Sequence, residues 1–486
     1  MKTLLRTLIA MLLPLAVAGD LTAQHIALKT VPIPAGEQFL ILPTSTLGMA
    51  GVYIAHDDEL GDPFSNPARG ALLAAGLRLL ALPTIYGEAS GSVGGRSLPV
   101  AVMVPGQRVF GTLAFALQQV DNPDRFTWFA AEQSGSVIQD NSSSNVYVQG
   151  TLGLKLSERT AVGASLYHAD LDAVDAVNLL YGRSVAINQS GGMTEVRLGA
   201  VHDFGGERRL DAIVLRNNVD MKHDVMYQEW TWRQQDPPLV RTWNELNEDR
   251  TETWGAHLRW VQPIGEHGAR LGAVATVNTK SHPKIPNYNI VNIPRDPGNS
   301  TAFIFGAGLT TREGPSTFSM ELQYEPGRSH TWAYADTIIP TPAGTLQPGD
   351  KTIDNQFRFG SWNLAFGIDR EGEKTGLQLG LRLREFRYSL DQHNYLTALR
   401  RETNESWLEW SPSWSGVVKF PEFELRYSGR FTAKGWPNSR GCFFVCEDRA
   451  VAPAGPDFVI GPTAPVTLPE FRVTTHRLTI SVPFRL

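Results

Sequence analysis

Cysteine is almost missing from this chain, with two in 486 residues, Cys442 and Cys446. Two cysteines alone make an improbable metal site; in an exported chain a disulfide between them is expected, bracing the loop that holds them. Charge of one sign is also scarce: the formal net charge is only -5, which gives no strong pull toward nucleic acid. No stretch holds the ~20 consecutive apolar residues of a spanning helix. No Pro/Ser-rich linker divides the chain. The catalytic patterns Gly-x-Ser-x-Gly and His-Glu-x-x-His and a phosphate loop do not occur, and no enzyme activity or cofactor is expected.

What is present begins with an export signal. Lys2 and Arg6 precede an apolar run, Leu8 to Ala18, and small residues suit cleavage after Ala18 or Ala23. Residues 1–23 are therefore read as a signal peptide. An exported chain without a spanning helix is periplasmic, secreted or a β-barrel.

Alternation decides among these. Leu478, Ile480, Val482, Phe484 and Leu486 fall on one face of the last segment; Arg477, Thr479, Ser481 and Arg485 fall on the other. One face suits lipid and the other a polar lumen. Val146, Val148, Leu152, Leu154 and Leu156 repeat the pattern, then Ser157–Thr160 turns the chain toward Val162, Ala164 and Leu166. Further short turns fall at 105–107, 205–208, 265–268, 312–315, 370–373 and 420–422. Long polar connections, such as 121–144, 217–250, 325–355 and 431–470, separate these hairpins. Short turns alternating with long loops is the asymmetry of outer-membrane barrels.

Seven turns join fourteen strands, and an opening strand near Ala74–Tyr86 with the closing strand makes sixteen. The sequence thus predicts an all-β fold: a transmembrane antiparallel up-and-down barrel of 14–16 strands over residues 71–486. Glu195, Arg197, Arg259, Glu321, Arg382, Arg384, Glu424 and Arg426 are assigned to the lumen, because a charge facing lipid costs about 2–4 kcal/mol at the midplane. Trp254, Trp260, Trp362, Trp407, Trp410 and Trp414 are candidates for interfacial girdles. His168, His202 and His257 are read as polar lumen residues.

Residues 24–70 do not alternate. They contain Gly48 to Asp58 (GMAGVYIAHDD) and Phe64 to Arg69 (FSNPAR), and Val104 to Arg108 (VPGQR) follows. Over residues 45–120 this resembles the outer-membrane hydrophobic-compound transporters typified by the long-chain fatty acid transporter, and the related barrel subunits of the type IX secretion system. The resemblance implies that residues 24–70 form a plug, with Gly51, Asp57, Asp58, Asn66, Pro67 and Ala68 as its motif. It implies a channel in the Gram-negative outer membrane for small hydrophobic or amphipathic molecules. Outer-membrane lipid and a small hydrophobic ligand are the expected partners. The alternative is an interaction barrel that anchors or shuttles an exported protein. His56, Asp57, Asp58 and Glu59 are adjacent rather than alternately spaced, so they are read as an acidic anchoring turn and not a metal site.

Overall fold

The computed structural model describes residues 37–73, 76–88, 94–121, 142–174, 184–233, 236–265, 268–282, 298–335, 337–434 and 472–484. Cys442 and Cys446 lie outside them. The described chain is almost wholly β, in one closed antiparallel sheet with a small separate hairpin, Ile339–Thr341 with Gly344–Leu346.

The wall opens with two short pieces, Leu77–Ala81 and Thr84–Glu88, interrupted at Leu82 and Pro83. Both pieces pair with Gly94–Val104 on one side and with Arg472–Phe484 on the other. They therefore share one position in a 17-stranded sheet, and the barrel has sixteen positions. Pro83 has no N–H to give the ladder, yet the break leaves partners in place. Leu478 N donates to Pro83 O at 3.0 Å and Leu82 N to Pro99 O at 2.8 Å. Pairing of the first position with the last closes the cylinder and removes any free sheet edge along the shared wall.

The period-2 pattern sorts side chains as a membrane barrel requires. Leu152 and Leu198 face outward and are 65% and 60% exposed, while their neighbours Thr151 and Arg197 face inward and are buried. The same holds for Leu377 and Leu379 against Gln378, and for Leu478 against Arg477 and Thr479. An apolar outer belt around an interior that takes the polar and charged side chains places this even-stranded barrel in the cell outer membrane.

Two sequence expectations are corrected here. Residues 217–250 are not a loop. The strands Arg208–Arg233 and Asp236–Ile264 pair in continuous register from Arg209↔Val261 to Thr231↔Leu239. At 26 and 29 residues they far exceed the ~9–11 needed to span, so the hairpin projects beyond the membrane. Its alternate positions carry charge rather than leucine, which disguised the alternation. Cross-strand contacts hold it: Arg250–Asp220 at 3.3 Å, Lys222–Glu248 at 3.8 Å, and Tyr227 stacked on Trp243 at 5.5 Å. Part of 325–355 is likewise strand, since Ser316–Tyr334 and Lys351–Glu371 pair over most of their length.

The second correction concerns histidines. Ala161 and Ala169 are buried in the barrel and Val162 and Leu166 are exposed outside. His168 shares the outward parity and bonds Thr194 there at 2.9 Å. His202, beside inward Val201, also points outward and bonds Thr160 at 2.8 Å. Of the three, only His257 is lumenal, where it meets Thr276 at 2.9 Å.

Candidate functional site

Residues 37–72 make only short turns: three-residue 3-10 pieces at Glu37–Phe39 and Leu47–Met49, a four-residue helix Asp62–Ser65, and the 3-10 turn Pro67–Leu72. No element is long enough to stand by its own ladder, so side chains shape the segment. Asp58 does most of this. Its Oδ1 accepts from Ser45 N at 2.8 Å, Ser45 Oγ at 2.7 Å, Leu60 N at 3.1 Å and Gly61 N at 2.9 Å, and its Oδ2 accepts from Thr44. One carboxylate thereby folds two stretches of the segment together. Gly51 adopts φ +66° directly after Ala50 at +59°, a reversal for which glycine is suited. Asn66 caps the last turn, with Oδ1 accepting from Ala68 N at 3.0 Å, and Pro67 occupies the first position of that turn.

The segment is held from around the barrel, by wall side chains bonding its backbone. Gln118 donates to Gln38 O at 2.6 Å, Gln149 to Phe64 O at 2.7 Å, and Arg197 to Ser65 O at 3.0 Å. Glu321 accepts the amides of Tyr53, at 2.6 Å, and Ile54. Arg382 donates to Ala50 O at 2.5 Å, Arg426 to Ser45 O at 3.0 Å, and Arg477 to Leu42 O at 2.9 Å. Ser413 Oγ accepts from Ala50 N at 2.9 Å, and Asn66 Nδ2 reaches Ala200 O on the wall at 3.3 Å. Irregular backbone has orphan donors and acceptors, and here the wall supplies their partners.

Lumen-facing glycines let the two surfaces meet. A Cβ on Gly272 would strike the Ile54 carbonyl, one on Gly308 would lie 2.9 Å from Ile54 Cβ, and one on Gly367 would lie 2.7 Å from Met49 Cβ. Gly380 abuts the Ala50 amide, Gly163 meets Pro67 O at 2.5 Å, and Gly199 abuts Asn66.

The most charged part of the contact centres on Asp57. Its carboxylate meets Arg69 at 2.6 Å, Arg209 at 2.5 Å, Arg259 at 3.0 Å and Arg270 at 2.9 Å. Arg69 belongs to the segment and the other three to the wall. Arg69 also pairs with Asp62, and Arg259 with Asp211 at 3.1 Å. Burial alone would raise the Asp57 pKa, but Arg69, Arg259, Arg209 and Arg270 outweigh it and hold the carboxyl well below the usual carboxylate range. Burial lowers His56, against the opposing pull of Asp57, so that imidazole stays neutral near pH 7. His56, Asp57, Asp58 and Glu59 do not converge on one point; among the described residues no cluster of metal-ligating side chains occurs.

Beside the charged contact the lumen carries an extended apolar cluster. From the opening strand round to Arg208–Arg233, buried apolar residues, among them Leu80, Met103, Leu171, Val219, Met221 and Val225, stand between buried polar ones such as Gln118, Asn145, Glu195 and Asp211. Phe39, Ile41, Leu42, Leu60 and Phe64 of the segment pack on this surface. The facing wall is richer in polar side chains, with Thr331, Asn355, Asn363, Gln392 and Ser411 buried there beside a small apolar cluster of Phe357 and Leu390.

Of the residues singled out in the sequence, the structure brings Gly51, Asp57, Asn66, Pro67 and Ala68 against the wall, while Asp58 works inside the segment. Arg197, Arg259, Glu321, Arg382 and Arg426 are lumenal and touch it. Sequence reasoning placed Arg477 on the lumen face without a role, and missed the roles of Arg209, Arg270, the two glutamines and the glycines. Their signal was parity: each of those wall glycines occupies a lumen-facing register position.

No protein-family model matches this sequence, and no curated protein matches it. Among solved structures, the chain is similar to the toluene transporter TodX of Pseudomonas putida at 10% identity, covering 91% of this chain and 97% of that one with a TM-score of 0.38. It is similar to the toluene transporter TbuX of Ralstonia pickettii at 9% identity, with 90% and 97% covered and a TM-score of 0.40. It is similar to the monoaromatic hydrocarbon channel CymD at 12% identity, with 92% and 98% covered and a TM-score of 0.41. At scores below 0.5 these likenesses add no argument about function.

Proposed function

We propose that this barrel conducts small hydrophobic or amphipathic molecules across the outer membrane, and that residues 37–72 act as its plug in the state described. The observation that carries this is the apolar sector of the lumen. A water-filled pore has a polar interior, whereas this lumen carries buried Leu80, Met103, Val219, Met221 and Val225, on which apolar side chains of the segment pack. An apolar cluster set among polar groups suits a guest with little polar surface, which leaves water for the apolar side and gains about 25 cal/mol per Å² buried. The plug reading is supported by bonds to the segment from many wall strands, with polar groups on the segment's backbone rather than at one hinge.

The test is flux into liposomes carrying the purified full chain. An apolar fluorescent probe should enter faster than into empty liposomes, and a disaccharide should not. Met221→Asp, which places a charge in the apolar sector, should slow the probe at least several-fold while leaving a heat-modifiable barrel. Equal probe entry with and without protein, or a faster disaccharide, would refute the reading.

A further inference from the structure

On the outer surface of the wall, Arg328 stands directly across from Arg358 on the neighbouring strand. Their chain neighbours Gly327, Ser329 and Phe357 are buried, whereas both arginines are exposed on the outward parity. Like charges directly opposite each other on a sheet are destabilising. Among the described residues neither guanidinium has a carboxylate within ion-pair distance. The nearby acids are already engaged. Asp391 is forked by Arg400 at 2.6 and 3.0 Å, and Glu385 is forked by Arg387 at 2.6 and 2.8 Å. His330 on the same strand is bonded to Asp354 at 2.9 Å.

Height along the wall says what meets this pair. Four residues nearer the membrane on the same two strands lie Tyr324 and Trp362, opposite each other, ring centroids 4.6 Å apart and both partly exposed. Below them the outward positions are Leu322 and Leu364, then Met320 and Phe366, and the belt is apolar to the short turn. Tyr324 and Trp362 therefore mark the interface on the side of the long connections, the outer leaflet. Gly360 opens the space between rings and arginines, and the Tyr324 hydroxyl lies 3.5 Å from where its Cβ would be. Four residues of a strand rise about 13 Å, less the barrel tilt. The guanidinia thus stand in the headgroup layer, above a two-ring platform.

We infer that Arg328 and Arg358 bind a phosphate of an outer-leaflet saccharolipid, with its sugar ring lying on Tyr324 and Trp362. A phosphate accepts paired N–H bonds from guanidinium and removes the repulsion between two arginines one strand apart. A sugar ring offers C–H faces to aromatic rings, which a glycerol headgroup does not. The site rests on the outer surface and does not depend on what passes through the lumen.

The experiment is native mass spectrometry of the full chain in detergent, titrated with a bis-phosphorylated glucosamine-disaccharide lipid. The comparison ligands are that lipid without phosphates, phosphatidylglycerol and inorganic phosphate. Wild type should retain one bis-phosphorylated lipid. R328Q/R358Q should bind it roughly tenfold more weakly, because charge-assisted bonds to phosphate are lost. The lipid without phosphates should bind wild type about as weakly as the variant binds the intact lipid, and millimolar inorganic phosphate should not displace it. Arg358→Lys, which keeps the charge and loses the fork, should fall between. Equal retention by wild type and a heat-modifiable R328Q/R358Q would overturn the site. So would phosphatidylglycerol binding wild type as tightly as the saccharolipid, a result that stands even if the double variant does not assemble.

Discussion

Arg259 holds Asp57 at 3.0 Å with the same nitrogen that donates to the His56 carbonyl at 2.7 Å. Its Nε donates to Ile54 O at 2.9 Å and its other terminal nitrogen to Asp211 at 3.1 Å. One wall side chain so fixes three consecutive stations of the N-terminal segment and is itself fixed to the wall. Asp57 in turn draws on three further arginines, and the pairing is buried enough for its loss to matter.

Replacing Arg259 with Met should therefore free the acidic turn without unmaking the barrel. Asp57 is 29% exposed and keeps Arg69, Arg209 and Arg270, so the loss stays below the roughly 3–5 kcal/mol of stranding a fully buried charge. The wall at this strand is paired through backbone from Arg209↔Val261 onward and does not depend on the guanidinium. Liposome swelling with small sugars should rise several-fold over wild type while heat-modifiable migration stays. Unchanged swelling would show that the segment is held closed elsewhere.

The pH dependence follows from the direction of the Asp57 shift. A carboxyl whose folded pKa is depressed contributes stability above its unfolded value, near ~3.9, and loses it as pH falls through the lower folded value. Asp57 is such a group. Its contribution should be complete at pH 5 and pH 7 and fade only below about 4. Single-channel conductance is the measurement, and the difference between Asp57→Asn and wild type is expected flat from pH 8 to 5. Asp57→Asn should raise conductance across that whole range; a difference that vanishes between pH 7 and 5 would contradict the four-arginine account, whereas a step shared by both would report Asp62, whose pKa burial raises to about 6.

Gly272→Val tests the fit rather than the charge. The added Cβ meets backbone of the segment, the Ile54 carbonyl, which has no rotamer by which to withdraw. The variant should assemble normally, since valine suits a strand, yet show proteolytic cleavage near Ile54 that wild type resists. Protection equal to wild type would mean the segment accommodates the methyls.

The wall assignment is checked by neighbouring residues on opposite faces. Leu379 is exposed outward and Gln378 is buried inward. Leu379→Arg should lower outer-membrane assembly sharply, because a lipid-facing arginine costs about 2–4 kcal/mol near the midplane. Gln378→Arg should still yield a heat-modifiable barrel. Equal assembly of the two would reverse the faces.

Alternation by itself determined the barrel. Lipid on one face and lumen on the other force a period of two, so Leu152, Leu198 and Leu478 declared their side of the wall, and short polar turns, most of them bearing glycine, declared the hairpins. The same parity already contained the outward placing of His168. Where the outward face meets water rather than lipid, as at Asp220, Lys222 and Asp224, outward leucines are no longer required, and the projecting hairpin read as loop until cross-strand pairing was seen. The N-terminal segment shows the opposite limit. Its composition marked Asp57 and Asn66, but nothing along the chain ties Asp57 to Arg209, Arg259 and Arg270, more than 150 residues away. Those arginines meet one carboxylate only because barrel closure turns distant strands toward a common lumen, where burial makes charge pairing compulsory.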